Sequence, residues 1–420
     1  MLTLSMLLGS CSWMKNPADP VVPKETGSNT PGAPTNTGTQ VPTPTPSSAG
    51  GPDAAEEILA QMTLEEKIGQ MFFIGSRKNA AGQRQLALDE PLKKVLTQFQ
   101  PGGFIFFAEN LDTISQTTAF IEELQKDAKI PLFIGIDEEG GTVTRLNKAE
   151  KLHSTVMPEP YTIGSTGNSE YAFMAAKAIG EELKSLGFNL NFAPVADVFS
   201  NPKNKIIGRR AYSEDPSVVS EMVAQAVKGT KESGIIPVLK HFPGHGDTLE
   251  DSHTGAAEQL KKAELLPFCS GIEAGAEMVM MGHLMTPEIT DNGLPATLSR
   301  SIVEGVLREQ LGFDGVIITD GLEMSAITAF YSEEEAVVMA VEAGIDILLL
   351  PNDFSKAYNA VLTAVMDGRI SEERIDESVI RILALKLRAI SGKPTQAPET
   401  VLGSPEHQQL AERIREEARP

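Results

Sequence analysis

The chain has 420 residues, 41% of them hydrophobic, which is enough to bury the core of a barrel-sized α/β domain. A formal net charge of −21 argues against a polyanionic partner, so nucleic acid is excluded. The two cysteines, Cys11 and Cys269, lie far apart and exclude a disulfide framework as the source of stability.

Residues 1–11 read as a lipoprotein signal. The apolar run Leu2–Leu8 leads into Leu8-Gly9-Ser10-Cys11, which resembles a bacterial signal ending at a lipid-modified cysteine, although no Lys or Arg precedes the run and the run is short. Residues 12–54 read as a disordered linker. They are rich in Pro, Thr, Gly and Ser, and no Phe, Trp or Tyr occurs between Met14 and Met71, so they cannot bury enough apolar surface to offset the entropy of ordering. A lipid at Cys11 followed by such a tether would hold a folded domain outside the cytoplasm. The anchor would be its sole membrane attachment, since no later segment approaches about 18 uninterrupted apolar residues.

Globular composition begins near residue 55. Eight short apolar runs then predict strands: Met71–Gly75, Gly103–Phe107, Leu132–Asp137, Asn189–Ala193, Pro237–His241, Met278–Gly282, Val316–Asp320 and Ile345–Leu350. Between them, helical periodicity predicts helices over 111–127, 170–186, 216–233, 262–275 and 301–311. Near-continuous apolar strands separated by helices imply parallel pairing with both faces covered. Eight such units predict a (β/α)8 TIM barrel as one catalytic domain over 55–392, with a doubly wound open sheet as the competing architecture. Against the open sheet, no Gly-x-Gly-x-x-Gly turn follows the first strand.

Polar residues gather where these runs stop. Asp137-Glu138-Glu139, Lys240-His241, His283 and Asp320 all fall at predicted strand ends, the face on which barrels build their sites. The densest stretch is Lys240-His241-Phe242-Pro243-Gly244-His245-Gly246-Asp247-Thr248, followed by Asp251-Ser252-His253. Asp251 and His253 are two apart, so on a loop the carboxylate can hydrogen-bond the imidazole, raise its pKa from about 6.5 and keep a proton ready for donation. A metal site drawn from His241, His245, Asp251, His253 and His283 is the competing reading. It lacks the His-x-His of barrel metallohydrolases at the first strand, which here reads Phe72-Phe73-Ile74-Gly75, and the expectation is no metal and no other cofactor. Along Val316-Ile317-Ile318-Thr319-Asp320 an apolar strand delivers a carboxylate to the mouth. There it can attack an anomeric carbon and stabilise an oxocarbenium-like transition state.

These segments resemble glycoside hydrolase family 3, and within it the bacterial β-N-acetylglucosaminidase branch. Lys240–Thr248 with Asp251-Ser252-His253 matches that branch's distinctive motif, whereas β-glucosidase branches lack the Asp-Ser-His loop and take a Glu from a second domain as acid/base. Met62–Gln70, Ile136–Gly141, Asn191–Asp197 and Arg210-Ala211-Tyr212 match further family motifs, so the resemblance covers about residues 55–390. Residues 393–420, with Gly403–Glu417, resemble the linker and first helix that open the second domain of two-domain relatives.

The resemblance implies a retaining hydrolase that removes terminal β-linked N-acetylglucosamine (GlcNAc), from glycans or muropeptides such as GlcNAc-MurNAc fragments of peptidoglycan. Asp320 would be the nucleophile, and His253, partnered by Asp251, the acid and then the base. Asp137, Arg210, Lys240 and His241 would bind the sugar, Asp197 and His283 would support the site, and His245 and Asp247 would shape the loop. Two alternatives stay open. The substrate's own acetamido oxygen serves as nucleophile in some hexosaminidases. A histidine that is neutral once deprotonated would not repel phosphate, so phosphorolysis at the same site is possible.

Overall fold

The structure, a computed structural model, describes residues 52–246, 262–285, 293–390 and 396–419. Cys11, the signal and the tether up to residue 51 lie outside them, as do Asp247, Asp251 and His253; residues 52–54, read as the end of the linker, instead open the helix Pro52–Leu59, whose Ala55 is buried against the core.

The eight apolar runs form β1 (Phe72–Gly75), β2 (Gly103–Phe106), β3 (Phe133–Ile136), β4 (Leu190–Asn191), β5 (Ile236–Phe242), β6 (Met278–Met281), β7 (Val316–Thr319) and β8 (Leu348–Leu349). All pair in parallel in the order β7-β6-β5-β4-β3-β2-β1-β8. A parallel bridge between Ile318 and Ile347 joins the two ends of that order. There the Thr319 N–H donates to the Ile347 carbonyl at 3.0 Å, and the Ile347 N–H to the Ile317 carbonyl at 3.0 Å. The sheet therefore closes on itself as a (β/α)8 barrel, and the open-sheet alternative fails.

Large rings fill the barrel because small residues make room for them. The Phe73 ring lies parallel to that of Phe133 at 6.4 Å and edge-on to Phe192 at 5.5 Å. A Cβ on Gly103 would sit 2.6 Å from the Phe73 ring, and one on Gly135 only 2.8 Å from Phe192. Glycines on β2 and β3 thus admit aromatic rings from β1 and the segment after β4, and interior packing of this density leaves no slack.

The helices that wrap the barrel follow their sequence signals closely. Ile114–Asp127 starts at Thr113, whose hydroxyl accepts from the Gln116 N–H at 3.2 Å, and Pro216–Glu232 starts at Asp215, which accepts from the Ser217 N–H at 2.8 Å. Glu170–Leu186 matches its prediction at both ends, Lys262–Glu273 stops two residues early, and Ser301–Gln310 is wound as a π-helix. The helix Pro405–Glu417 packs on Glu170–Leu186 by burying Leu410, Ala411 and Ile414. His407 is held between Glu182 (Nδ1, 3.1 Å) and Glu181 (Nε2, 3.1 Å), and these carboxylates raise its pKa against the burial that would lower it.

Candidate active site

The site lies at the C-terminal ends of the strands, where a cavity of about 370 Å³ opens. Ile105, Phe192, Met280 and Leu349 are among its apolar lining, and Asp137, Arg210, Lys240, His241 and Asp320 are among its polar groups. A few convergent polar groups over an apolar lining is the usual composition of a small-molecule site.

β3 runs straight into three acidic residues, and strand-like alternation separates their tasks. Asp137 and Glu139 face the mouth, and Lys240 Nζ lies between them, 2.8 Å from Asp137 Oδ1 and 2.6 Å from Glu139 Oε1. Arg210 grips Glu139 through both ends of its fork, with Nε to Oε2 at 2.9 Å and NH2 to Oε1 at 2.8 Å. Arg145 NH2 meets the second oxygen of Asp137 at 3.1 Å. Three cations and two carboxylates are thus locked in one network, which rigidifies what it lines.

Burial alone would raise both carboxyls, but Lys240 and Arg145 hold Asp137 below the usual carboxylate range, while Arg210 and Lys240 hold Glu139 far below it. Lys240 is buried, which would lower its pKa, yet the two carboxylates raise it. Glu138 points away from the mouth. It accepts from the Arg145 N–H at 2.7 Å, the Leu146 N–H at 3.0 Å and the Thr144 hydroxyl, and so folds the turn that presents Arg145 to Asp137. Burial pushes its carboxyl up to about 7 against those donors.

β5 places Lys240 and His241 side by side in the mouth, joined by a cis peptide bond. Asp197, fully buried, organises this strand end. Its Oδ2 is 2.8 Å from His241 Nδ1, and its Oδ1 accepts from the His241 and His245 N–H groups at 3.2 and 2.8 Å. Burial would raise the Asp197 carboxyl, but His241 and His245 hold it below the usual range. With Nδ1 engaged on Asp197, the His241 ring turns Nε2 toward Arg210 NH2, 3.5 Å away, and toward the cavity. His245 packs edge-on to His241 at 5.9 Å, and burial followed by that neighbour lowers its pKa.

β7 delivers Asp320. Its N–H donates to the Met281 carbonyl at 2.8 Å, and its Oδ1 accepts from the Gly321 N–H at 2.7 Å. Oδ2 has no hydrogen-bond partner among the described residues, so one carboxylate oxygen is available to the cavity it lines. His283, at the end of β6, donates through Nε2 to the Gly321 carbonyl at 3.0 Å and meets Thr297 Oγ1 through Nδ1 at 2.8 Å. The turn behind Asp320 is thereby pinned from the neighbouring strand.

The structure therefore brings Asp137, Arg210, Lys240, His241 and Asp320 to one cavity, with Asp197 behind His241 and His283 behind Asp320. Glu139, named only as a polar residue at a strand end and given no role, and Arg145, not singled out at all, join the network, and both left a signal. Glu139 stands two after Asp137, on the same strand face, and Arg145 is the first cation beyond Gly140-Gly141.

Comparison with known proteins agrees with this geometry. A family model described as the Glycosyl hydrolase family 3 N terminal domain matches residues 63–385. The chain is 33% identical to Beta-hexosaminidase A of Pseudoalteromonas piscicida, over 83% of this chain and 65% of the relative. It is 31% identical to Beta-hexosaminidase LpqI of Mycobacterium tuberculosis, over 83% of this chain and 88% of the relative. Among solved structures it resembles a family 3 β-N-acetylglucosaminidase from Paenibacillus sp. FPU-7, with a TM-score of 0.77 and 40% identity over 85% of this chain and 69% of that one. The chain thus spans just under two thirds of the length of the Pseudoalteromonas relative. With the barrel, the strand-end carboxylates and a family match across most of the described residues, the chain belongs to glycosyl hydrolase family 3.

Proposed function

We propose that the protein is a retaining β-N-acetylglucosaminidase that removes terminal β-linked GlcNAc through a covalent glycosyl-enzyme on Asp320. The observation that carries this reading is the placement of Asp320, with Oδ2 unbonded among the described residues, in one cavity with Asp137, Lys240, Arg210 and His241. The names of its relatives, β-hexosaminidase and β-N-acetylglucosaminidase, support the sugar specificity. Asp137 would accept hydrogen bonds from sugar hydroxyls, Lys240 and Arg210 would donate them, and Arg145 would hold Asp137 in place. Asp320 would attack the anomeric carbon as the glycosidic bond breaks. His253, steadied by Asp251, would protonate the leaving oxygen and then draw a proton from water.

The substrate class in this reading is the GlcNAc-MurNAc fragment of peptidoglycan. The site is placed outside the cytoplasm, through a lipid on Cys11 and the tether that follows. Turnover of aryl β-GlcNAc against aryl β-glucoside, each with and without phosphate, tests the activity. GlcNAc released in buffer alone supports hydrolysis. A requirement for phosphate, with GlcNAc 1-phosphate as product, would assign phosphorolysis, and preference for the glucoside would refute the sugar assignment. Cys11→Ser should move activity from the membrane fraction to the soluble one, and unchanged fractionation would refute the anchor.

A further inference from the structure

Behind the turn that carries Arg145 stands a buried polar cluster that the chemistry does not use. Past that turn the chain runs through two short 3-10 helices, Leu146–Lys148 and Glu150–Leu152, into residues 153–159. This return segment lies against the turn. The Gly141 N–H donates to the Met157 carbonyl at 3.0 Å, and the Ser154 hydroxyl donates to Asn147 Oδ1 at 2.7 Å. A Cβ on Gly140 would sit 2.8 Å from the Pro158 carbonyl oxygen, so the two strands of chain are in backbone contact. The turn that aims Arg145 at Asp137 therefore depends on where residues 154–158 are held.

They are held by Glu182, a buried carboxylate on the helix Glu170–Leu186. Glu182 accepts from the Thr155 N–H at 3.1 Å and from the Thr155 hydroxyl at 2.6 Å. It also accepts from the Gly403 N–H at 3.1 Å and meets His407 Nδ1 at 3.1 Å. Two further contacts run from the C-terminal segment to the same stretch. Gly403, at a φ of 59°, passes so close that a Cβ there would lie 2.1 Å from the His153 carbonyl oxygen, and Arg415 donates to the Val156 carbonyl. Docking the helix Pro405–Glu417 does not require any of these bonds, because Leu410, Ala411 and Ile414 already bury its apolar face. A buried carboxylate is a costly way to add stability, but its fixed bonds define one arrangement of the groups they join.

We propose that residues 403–417 clamp the sugar site from behind, with His407, Glu182 and Thr155 as positioning residues. They fix the return segment, the return segment fixes the turn, and the turn keeps Arg145 on Asp137. The clamp rests on reading Asp137 as a ligand of the sugar hydroxyls, and it gives the C-terminal segment a task in that binding.

The test uses the full chain carrying His407→Ala or Thr155→Val, the latter keeping the side-chain shape and removing the hydroxyl that reaches Glu182. Hydrogen exchange without substrate should quicken over residues 138–159 in both variants, while the barrel strands keep their protection. With 4-nitrophenyl β-GlcNAc, kcat/KM should fall about threefold or more, chiefly through KM. In an Arg145→Ala background the same substitutions should change kcat/KM by less than about twofold, because the residue they act through is gone. Thr155→Val carries the test should His407→Ala not fold. Unchanged exchange over residues 138–159 in the folded variants, or an equal loss of kcat/KM with and without Arg145, would overturn the clamp. Wild-type enzyme inert on the aryl GlcNAc would refute the sugar assignment instead, and the exchange result would still decide the clamp.

Discussion

Replacing Asp197 with asparagine removes one negative charge from behind the sugar cavity without changing its shape. Asp197 Oδ1 serves two main-chain donors, and Oδ2 alone meets His241 Nδ1 at 2.8 Å. In Asp197→Asn the amide oxygen can keep both main-chain bonds, leaving the NH2 against Nδ1. His241 must then accept there and carry its proton on Nε2, which faces Arg210 NH2 at 3.5 Å, so a donor opposes a donor. A hydrogen bond to a charged group is worth about 1.5–3 kcal/mol, so kcat/KM should fall roughly ten- to a hundredfold while the fold persists. The native carboxyl lies below its ordinary value, so its stabilising contribution is present above the unfolded pKa and lost as pH falls through the native one. Asp197→Asn should therefore show less acid-dependent loss of stability, although it is less stable at neutral pH. Steady-state kinetics on an aryl β-GlcNAc, with thermal unfolding followed from neutral to acidic pH, provide the assay. A variant within twofold of wild type in kcat/KM would refute the role given to this contact.

Glu138 makes the opposite pH prediction. Its native pKa of about 7 exceeds the ordinary 4.5, so its contribution is present below that ordinary value and lost as pH rises through about 7. Glu138→Gln should gain stability relative to wild type between pH 5 and 8, by up to about 3 kcal/mol, as read from unfolding midpoints. At the base of the barrel, Asp346 accepts from Arg308 (2.7 Å), Arg381 (3.1 Å), Ser378 (2.7 Å) and the Ile317 N–H (2.8 Å) with no exposure. Asp346→Ala should cost about 3–5 kcal/mol in denaturant unfolding and leave kcat of the folded enzyme near wild type. His253→Ala should slow substrates with poor leaving groups far more than activated aryl glycosides, and an equal loss on both would show that His253 does not act as the acid.

The strands were legible because each is an apolar run with both faces buried, and their pairing order follows once eight such runs alternate with helices. Their ends were less legible where side chains join the backbone in bonding across strands. Asn189–Ala193 reads as five residues of strand, yet only Leu190–Asn191 pair as strand. The Asn189 main chain still bonds to both neighbours, its N–H to the Ile134 carbonyl at 3.1 Å and its carbonyl to the Ile236 N–H at 2.9 Å, while its side-chain amide adds bonds to the Ile134 N–H and the Leu132 carbonyl, and Asn191 gives its own to the N–H and carbonyl of Glu138. In the same way the predicted Ile345–Leu350 shrinks to Leu348–Leu349, with the buried Asp346 carboxylate bonded to the Ile317 N–H. An apolarity pattern carries no information about such bonds.

The cavity residues were legible as ionisable groups at strand ends, but the ion-pair network was not. Nothing in the spacing of Lys240 says that it divides itself between Asp137 and Glu139. Nor does the run of three acids reveal that its middle member turns outward to build the Arg145 turn. Both depend on strand alternation and on which strands adjoin, and these only the closed barrel defines.

The nucleophile is identified most directly by mass-spectrometric mapping of the covalent adduct formed with a fluorinated GlcNAc donor that slows the second step. A single labelled peptide containing Asp320, lost in Asp320→Asn, is the expected result. Continued turnover of aryl β-GlcNAc by Asp320→Asn at wild-type rates, or a label on any other residue, would contradict it.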